Sequence, residues 1–223
     1  MITLVVDAST YVGTVAVVRD RQVVADGEAT MRGRESEALM PAVTGVLAHA
    51  GVATREISRV VCGAGPGSFT SLRIAASIAK GIAFGTGCPL FAVSSLALLV
   101  AGDGSPAPGR YLAVLDALRG EAYVGGYAVD ANGAVNVILA ERLVKQEAVA
   151  EAATAIAGLT IGAGQQIDRA PHARGAIALE ALVLAAGPAD LESWEPVYGR
   201  KAEAQMRWEA AHGTPLPSGS TST

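Results

Sequence analysis

Two stretches of this chain open in the same way, and that repetition constrains its fold more than any other feature. Val5-Val6-Asp7-Ala8 starts one half and Val114-Leu115-Asp116-Ala117 starts the other, each followed by a strand-hairpin pattern. Further on, Gly63-Ala64-Gly65 ends one strand and Gly162-Ala163-Gly164 ends another. Alanine and glycine are so common here that either match alone carries little. Order, offset and surrounding pattern agree together, which points to a duplicated unit. At ~150 residues per domain, 223 residues amount to about one and a half domains. Two small lobes fit that length, and a full-size two-domain kinase does not.

The periodicity predicts the same element order in each half. Leu4–Val6, Gly13–Val18 and Val23–Glu28 read as a three-strand meander. Ser36 is placed to cap a helix running to about Ala50, closed by Gly51. Arg59–Cys62 reads as a buried strand, Thr70 to Gly85 as a helix, Pro89–Val93 as a strand, and Ser94 or Ser95 caps a helix to Ala101. The second half gives strands at Tyr111–Leu115, Ala122–Val129 and Val135–Leu143, with Asn132-Gly133 as a hairpin turn. A helix over Gln146–Ala157, a strand at Leu159–Ile161 and a helix over Ala176–Ala186 follow. The non-periodic GDGSPAPG stretch, 102–109, is the expected linker. The expected division is a first lobe at 1–102, a smaller second lobe at 109–190, a segment at 191–211 that returns to the first lobe, and a disordered tail at 212–223.

Composition excludes several classes of function. Hydrophobic residues are 51% and charged residues 17%, so a large core is available and wholesale disorder is excluded. Net charge is −4, aromatics are 4%, and no basic stripe appears, which argues against autonomous nucleic-acid binding. Cys62 and Cys88 cannot build a disulfide framework and read as small buried hydrophobes. Met1–Asp7 has no basic region, and the longest apolar window, Leu90–Gly102, is too short to span a bilayer. A soluble, cytoplasmic protein without a membrane partner is expected.

One motif stands out. Gly63-Ala64-Gly65-Pro66-Gly67-Ser68-Phe69-Thr70-Ser71-Leu72-Arg73-Ile74 follows a buried strand and opens a helix. Its glycines permit a tight turn, and Ser68 or Thr70 can cap the helix. The stretch lacks the Lys-Ser/Thr ending of a P-loop and the G-x-G-x-x-G spacing of a dinucleotide fingerprint. A strand–helix turn is the reading that its spacing favours.

The same motif resembles the family of bacterial tRNA threonylcarbamoyladenosine biosynthesis proteins called TsaB, also labelled glycoprotease-like or peptidase M22-like. Gly65, Pro66, Gly67, Ser68, Phe69, Thr70 and Arg73 carry the resemblance, with Lys80-Gly81 later in the helix. Asp7-Ala8-Ser9-Thr10, Asp116-Ala117-Leu118-Arg119-Gly120-Glu121-Ala122-Tyr123 and Glu195-Pro196-Val197-Tyr198 resemble further family stretches, so the similarity covers about residues 2–208. Ser71, Leu118 and Glu35 depart from the common residues. The resemblance implies an α/β fold of two small actin-like (ribonuclease H-like) lobes with mixed sheets flanked by helices. It implies a non-catalytic subunit that pairs with a catalytic TsaD-like subunit and a TsaE-like ATPase. It also implies a homodimer through the same surface, with tRNA met only through the complex. ATP and threonylcarbamoyl-adenylate would be used by the partner subunits, and this chain would need no cofactor or metal of its own.

Intrinsic catalysis has weak support in the residues. His49, His172 and His212 are far apart, with no Cys or carboxylate at ligand spacing. Ser68 lacks the second glycine of a nucleophile elbow. A metallopeptidase is therefore disfavoured. A small ATP-dependent phosphotransferase stays open: Asp7 and Asp116 would hold magnesium through water, and Gly162 and Gly164 would approach an adenine. The competing reading makes these residues a vestigial cleft whose acids cap turns.

Two helix faces complete the expectation. On a helical wheel Leu39, Val43, Val46, Leu47 and Ala50 form the core stripe of the first helix, leaving Pro41, Thr44, Gly45 and Ala48 outside. On the second, Ile74, Ile78, Gly81, Ile82 and Gly85 are expected to face the sheet. Leu72, Ala75, Ala76, Ala79 and Ala83 then form an outer face of small residues for a partner helix.

Overall fold

The computed structural model of the chain describes residues 1–32, 38–102, 107–199, 208 and 211–213. Ser36, Glu35 and the middle of the linker lie outside the described residues. Two mixed sheets organise the rest. The first contains β1 (Ile2–Asp7), β2 (Val12–Arg19), β3 (Gln22–Thr30), β4 (Arg59–Gly63) and β5 (Leu90–Val93), in the order β3-β2-β1-β4-β5. The second contains β6 (Gly109–Asp116), β7 (Glu121–Val129), β8 (Val135–Lys145) and β9 (Leu159–Ile161), in the order β8-β7-β6-β9. In both, an antiparallel meander is extended by a parallel strand beside its first member: β4 beside β1, β9 beside β6. This is the actin-like arrangement, present twice, and among the described residues the second copy shows no fifth strand.

Helices connect these strands where the apolar period changes from two to 3.6. α1 (Leu39–His49) follows the first meander. α2 (Phe69–Thr86) crosses from β4 to β5, and its last turn is closed by Gly87 in the left-handed region, φ 68°. α3 (Ser95–Ala101) is capped by Ser94, whose hydroxyl accepts the N–H groups of Leu96 and Ala97. α4 (Val149–Ala155) and α5 (Glu180–Ala186) follow in the second half. The periodic stretches expected to be one helix at 146–157 and another at 176–186 each begin with a 3-10 turn, at Gln146–Ala148 and Ala173–Ile177.

The lobes share a core. Every residue of α3 is buried, from Ser95 to Ala101. A helix apolar all round must lie between layers, and α3 does. One apolar cluster joins Val5, Ala16 and Val61 of the first sheet to α3, and to Tyr111, Leu115, Tyr123 and Tyr127 of the second. Residues 173–186, assigned by sequence to the second lobe, sit against the first sheet. The Ala173 N–H donates to Thr14 Oγ1 at 3.0 Å, and Arg59 of β4 pairs with Glu180 of α5 through two 2.9 Å bonds.

Burial on α2 departs from the expected orientation: Ile82 is buried as expected, Gly81 and Gly85 are exposed, and the alanine face lies inside. Leu72, Ala75, Ala79 and Ala83 have no exposed surface and Ala76 has 5%. Ala75, Ala79 and Ala83 belong to the core cluster of the first lobe, with Leu4, Val6 and Val43. The small-residue face is thus internal, not a partner surface. The reason is steric: the helix lies close on the sheet and beside α1, and alanine allows that approach where isoleucine would hold it off. Ile74 and Ile78 are half-buried at the flank, while Ser77, Gly81 and Gly85 face outward.

Candidate functional site

The outer faces of α1 and α2 form one candidate site. Pro41, Thr44, Gly45 and Ala48 are exposed on α1, as the wheel predicted. Along α2 runs a groove of ≈ 640 Å³ lined by Ser77, Ile78, Gly81 and Gly85 of that helix, by Thr54 and Arg55, and by Met40 at the start of α1. A Cβ on Gly45, Gly81 or Gly85 would meet nothing within 4 Å, so these glycines leave flat ground rather than relieve crowding. Phe84 of α2 has 82% of its surface exposed, and Met40 is 41% exposed. Exposed apolar side chains of this size are what an association surface presents.

The motif loop is the strand–helix turn between β4 and α2, and it has an occupant. The C-terminal segment of the chain lies on it. Ala189 pairs with β5 through its N–H to Leu90 O at 2.7 Å, and Trp194 packs on the first-lobe core with Lys80 Nζ 5.8 Å from its ring centre. Val197 then donates to Ala64 O at 2.7 Å. The Tyr198 ring lies 4.4 Å from that of Phe69, and its carbonyl accepts the Tyr123 hydroxyl at 3.2 Å. Gly65, at φ 87°, is required here, because a Cβ would run into Val197 O. Ser68 and Thr70 were expected as caps. Ser68 is the N-cap by position, yet its hydroxyl bonds Ser71 at 3.0 Å and caps no backbone N–H. Thr70 is exposed within the first turn.

The four residues of the supposed nucleotide cleft are each engaged locally. Asp7 is fully buried: Oδ1 accepts from Ser95 Oγ at 2.5 Å, and Oδ2 accepts from the Ser9 hydroxyl at 2.8 Å and the Ser9 N–H at 3.1 Å. Burial pushes this carboxyl above the ordinary carboxylate range, against the pull of its Ser95 and Ser9 hydrogen bonds. Burial, with Asp7 nearby, likewise pushes the Cys62 thiol up, so it stays protonated. Asp116 is exposed and caps its own turn through Leu118 N–H at 2.7 Å. Gly162 and Gly164 belong to a turn closed on itself, with Gly162 N–H on Ile167 O at 3.0 Å and Gly164 N–H on Asp168 Oδ1 at 3.2 Å. Asp7 has no edge turned to solvent, so the arrangement supports the turn-capping reading of both acids. Among the described residues no three His, Cys, Asp or Glu side chains are grouped to hold a metal.

Sequence reasoning missed the serines around Asp7. It also missed a second polar group, in which Glu141 of β8 accepts the buried Tyr127 hydroxyl at 2.6 Å and the Ser94 hydroxyl. A Ser-Ser pair at 94–95 after a strand was the available signal. One serine caps α3 and the other reaches Asp7.

Fold and site together define a two-lobed actin-like protein with a closed central core, a bare outer helix pair and a motif loop gripped by its own C-terminal segment. A family model described as "TsaD: tRNA N6-adenosine threonylcarbamoyltransferase" matches residues 32–185. The Escherichia coli (strain K12) protein named tRNA threonylcarbamoyladenosine biosynthesis protein TsaB is 34% identical over 169 residues, 73% of this chain and 71% of that one. Its namesake in Bacillus subtilis (strain 168) is 35% identical over 127 residues, 57% of this chain and 55% of that one. A Pseudomonas aeruginosa crystal structure, described as an uncharacterized protein with similarity to peptidase YEAZ, matches with a TM-score of 0.76 at 29% identity, over 89% of this chain and 99% of that one. The chain belongs to the TsaB family.

Proposed function

We propose that this protein is a non-catalytic subunit of the machinery that forms threonylcarbamoyladenosine in tRNA. In this reading it binds a catalytic TsaD-like subunit through the outer faces of α1 and α2, and a TsaE-like ATPase joins the assembly. The observation that carries the reading is the groove along α2, lined by Ser77, Ile78, Gly81 and Gly85 with Met40 of α1, together with the exposed Pro41, Thr44, Gly45 and Ala48 of α1. The contact set is Pro41, Thr44, Gly45 and Ala48 on α1 with Ser77, Ile78, Gly81 and Gly85 on α2. The same faces, being bare on every copy, also support self-association. Family membership and the engagement of Asp7 by Ser9 and Ser95 support a role without phosphoryl transfer. ATP and threonylcarbamoyl-adenylate are then handled by the partners.

The test is co-purification with the TsaD-like subunit, with modified adenosine as a second readout. Gly81→Arg or Gly45→Arg should abolish both while the chain stays folded. Wild-type levels of association in folded variants would place the partner surface elsewhere.

A further inference from the structure

Two arginines at one end of the first sheet lie against aromatic rings. The Arg32 guanidinium is 3.8 Å from the centre of the Tyr11 ring. That of Arg73 is 4.6 Å from the centre of Phe69, and its Nε donates to the Tyr198 hydroxyl at 3.3 Å. Three other cations of this acidic chain sit beside carboxylates, Arg59 with Glu180, Lys145 with Glu121 and Arg174 with Asp26, while Arg19 and Arg110 bond backbone carbonyls. Among the described residues no carboxylate is within ion-pair distance of Arg32 or Arg73, and Glu195 acts on Arg73 only from further away.

The two stacks flank a single backbone contact. The Ser68 N–H donates to Ser9 O at 2.8 Å, Phe69 is the next residue, and Tyr11 lies two beyond Ser9. At 3.8 Å per residue, their backbones are within roughly 16 Å of each other. The turn that carries Tyr11 is pinned by the Thr10 hydroxyl, which accepts the Val12 N–H at 3.2 Å and donates to Val12 O at 3.0 Å. Tyr11 keeps 43% of its surface exposed.

A guanidinium over a ring still has N–H edges, and that of Arg32, beside one ring, has a second face; Arg73 lies near two rings, 5.7 Å from the centre of Tyr198 as well. The face stacks on a nucleobase and the edges bond phosphate. Aromatic and arginine planes repeated along a surface are how single strands are held without sequence readout. A protein interface instead needs an apolar centre, which this molecule carries on the groove along α2.

We propose that the Tyr11–Arg32 and Phe69–Arg73 stacks form a contact surface for a single-stranded RNA segment, the unpaired bases and phosphates of a tRNA loop. This rests on the subunit reading above and adds to it an RNA contact made by this chain's own residues within the assembly.

The test uses the full chain assembled with its catalytic partner. Ultraviolet cross-linking to labelled tRNA, followed by peptide mapping, should give nucleotide-bearing peptides that contain Tyr11 and Phe69. Arg32→Gln/Arg73→Gln should weaken tRNA binding about tenfold or more. It should also lower the slope of log affinity against log salt by about 1.4, at ~0.7 for each single-strand phosphate lost. Arg32→Gln alone breaks no described hydrogen bond and should give about half that change, so a folding defect at Arg73 would not hide the result. Unchanged tRNA affinity and slope in an intact complex overturn the proposal, as do variants that lose the partner and not the RNA. A wild-type chain that never joins the catalytic subunit is a failure of the subunit reading. Cross-linking of the isolated chain at low salt then decides the RNA surface: modified Tyr11 or Phe69 peptides uphold it, and cross-links to protein or none overturn it.

Discussion

Val197 donates its backbone N–H to the carbonyl oxygen of Ala64 at 2.7 Å, joining the end of the chain to the loop that follows β4. The two stretches most characteristic of the family, Gly65–Arg73 and Glu195–Tyr198, thus face each other. Of the motif glycines, Gly65 gives way to Val197, while Gly63 and Gly67 give way to Asp7 and Ser9. Tyr198 continues the contact onto Phe69 and Tyr123, so this short strap spans both lobes.

Substitution at Gly65 should release the strap. Gly65→Ala places a Cβ against Val197 O at a left-handed φ, and the cost should be about 2–4 kcal/mol. Hydrogen exchange should rise across 188–199 and at the start of α2, with little change in α4. Unchanged protection at 188–199 would show that the strap does not depend on this loop.

The two faces of α2 should respond in opposite ways to the same residue. Ala79→Arg puts a charge into the core of the first lobe and should cost more than about 4 kcal/mol, enough to unfold it. Gly81→Arg, two residues on, should leave the melting temperature within a few degrees of wild type. Thermal melts of the pair decide the point, and a folded Ala79→Arg protein would return the alanine face to the surface.

Asp7 should behave as a buried structural group whose charge is a burden. Its folded pKa lies above the ordinary 3.8, so the native state holds the proton longer than the unfolded chain. Stability therefore falls as pH rises from 3.8 through the folded pKa, then levels off. Asp7→Asn abolishes that fall and should gain on wild type between pH 3 and pH 7 in urea titrations. Asp7→Ala instead strands the Ser9 and Ser95 donors and should cost about 1–3 kcal/mol. An Asn variant that loses ground at neutral pH would show that the ionised carboxylate is needed.

Glu180 should show the opposite sign. The hydrogen bonds from Arg59 hold its carboxyl below the ordinary 4.5, although burial opposes them. Its contribution is complete above 4.5 and fades as pH falls through the folded value. The deficit of Glu180→Gln against wild type should then shrink on acidification. At neutral pH, Glu180→Ala leaves the Arg59 side chain, only 9% exposed, without its partner and should cost about 3 kcal/mol. A deficit that does not vary with pH would mean that the pair contributes by packing alone.

The duplicated unit was legible because it depends on local periodicity. Val5-Val6-Asp7 and Val114-Leu115-Asp116 are β-rich runs followed by turns, and pattern alone sets strand order within each meander. The cap at Ser94 and the exposed face of α1 were legible for the same reason. Which way α2 faces was not. Its wheel offers two apolar sides, and hydrophobicity ranks isoleucine above alanine. How closely a helix must approach its sheet is set by the neighbours, α1 among them, and close approach selects Leu72, Ala75, Ala79 and Ala83 for the inside. The strap was beyond reach as well: Ala64 and Val197 are 133 residues apart, and no local period links them. Sequence alone determined the elements and their repetition, because those rest on interactions within a few residues. Tertiary structure decided the burial of Asp7, the closing of the core around α3 and the identity of the outer face, because each depends on groups that only packing brings together.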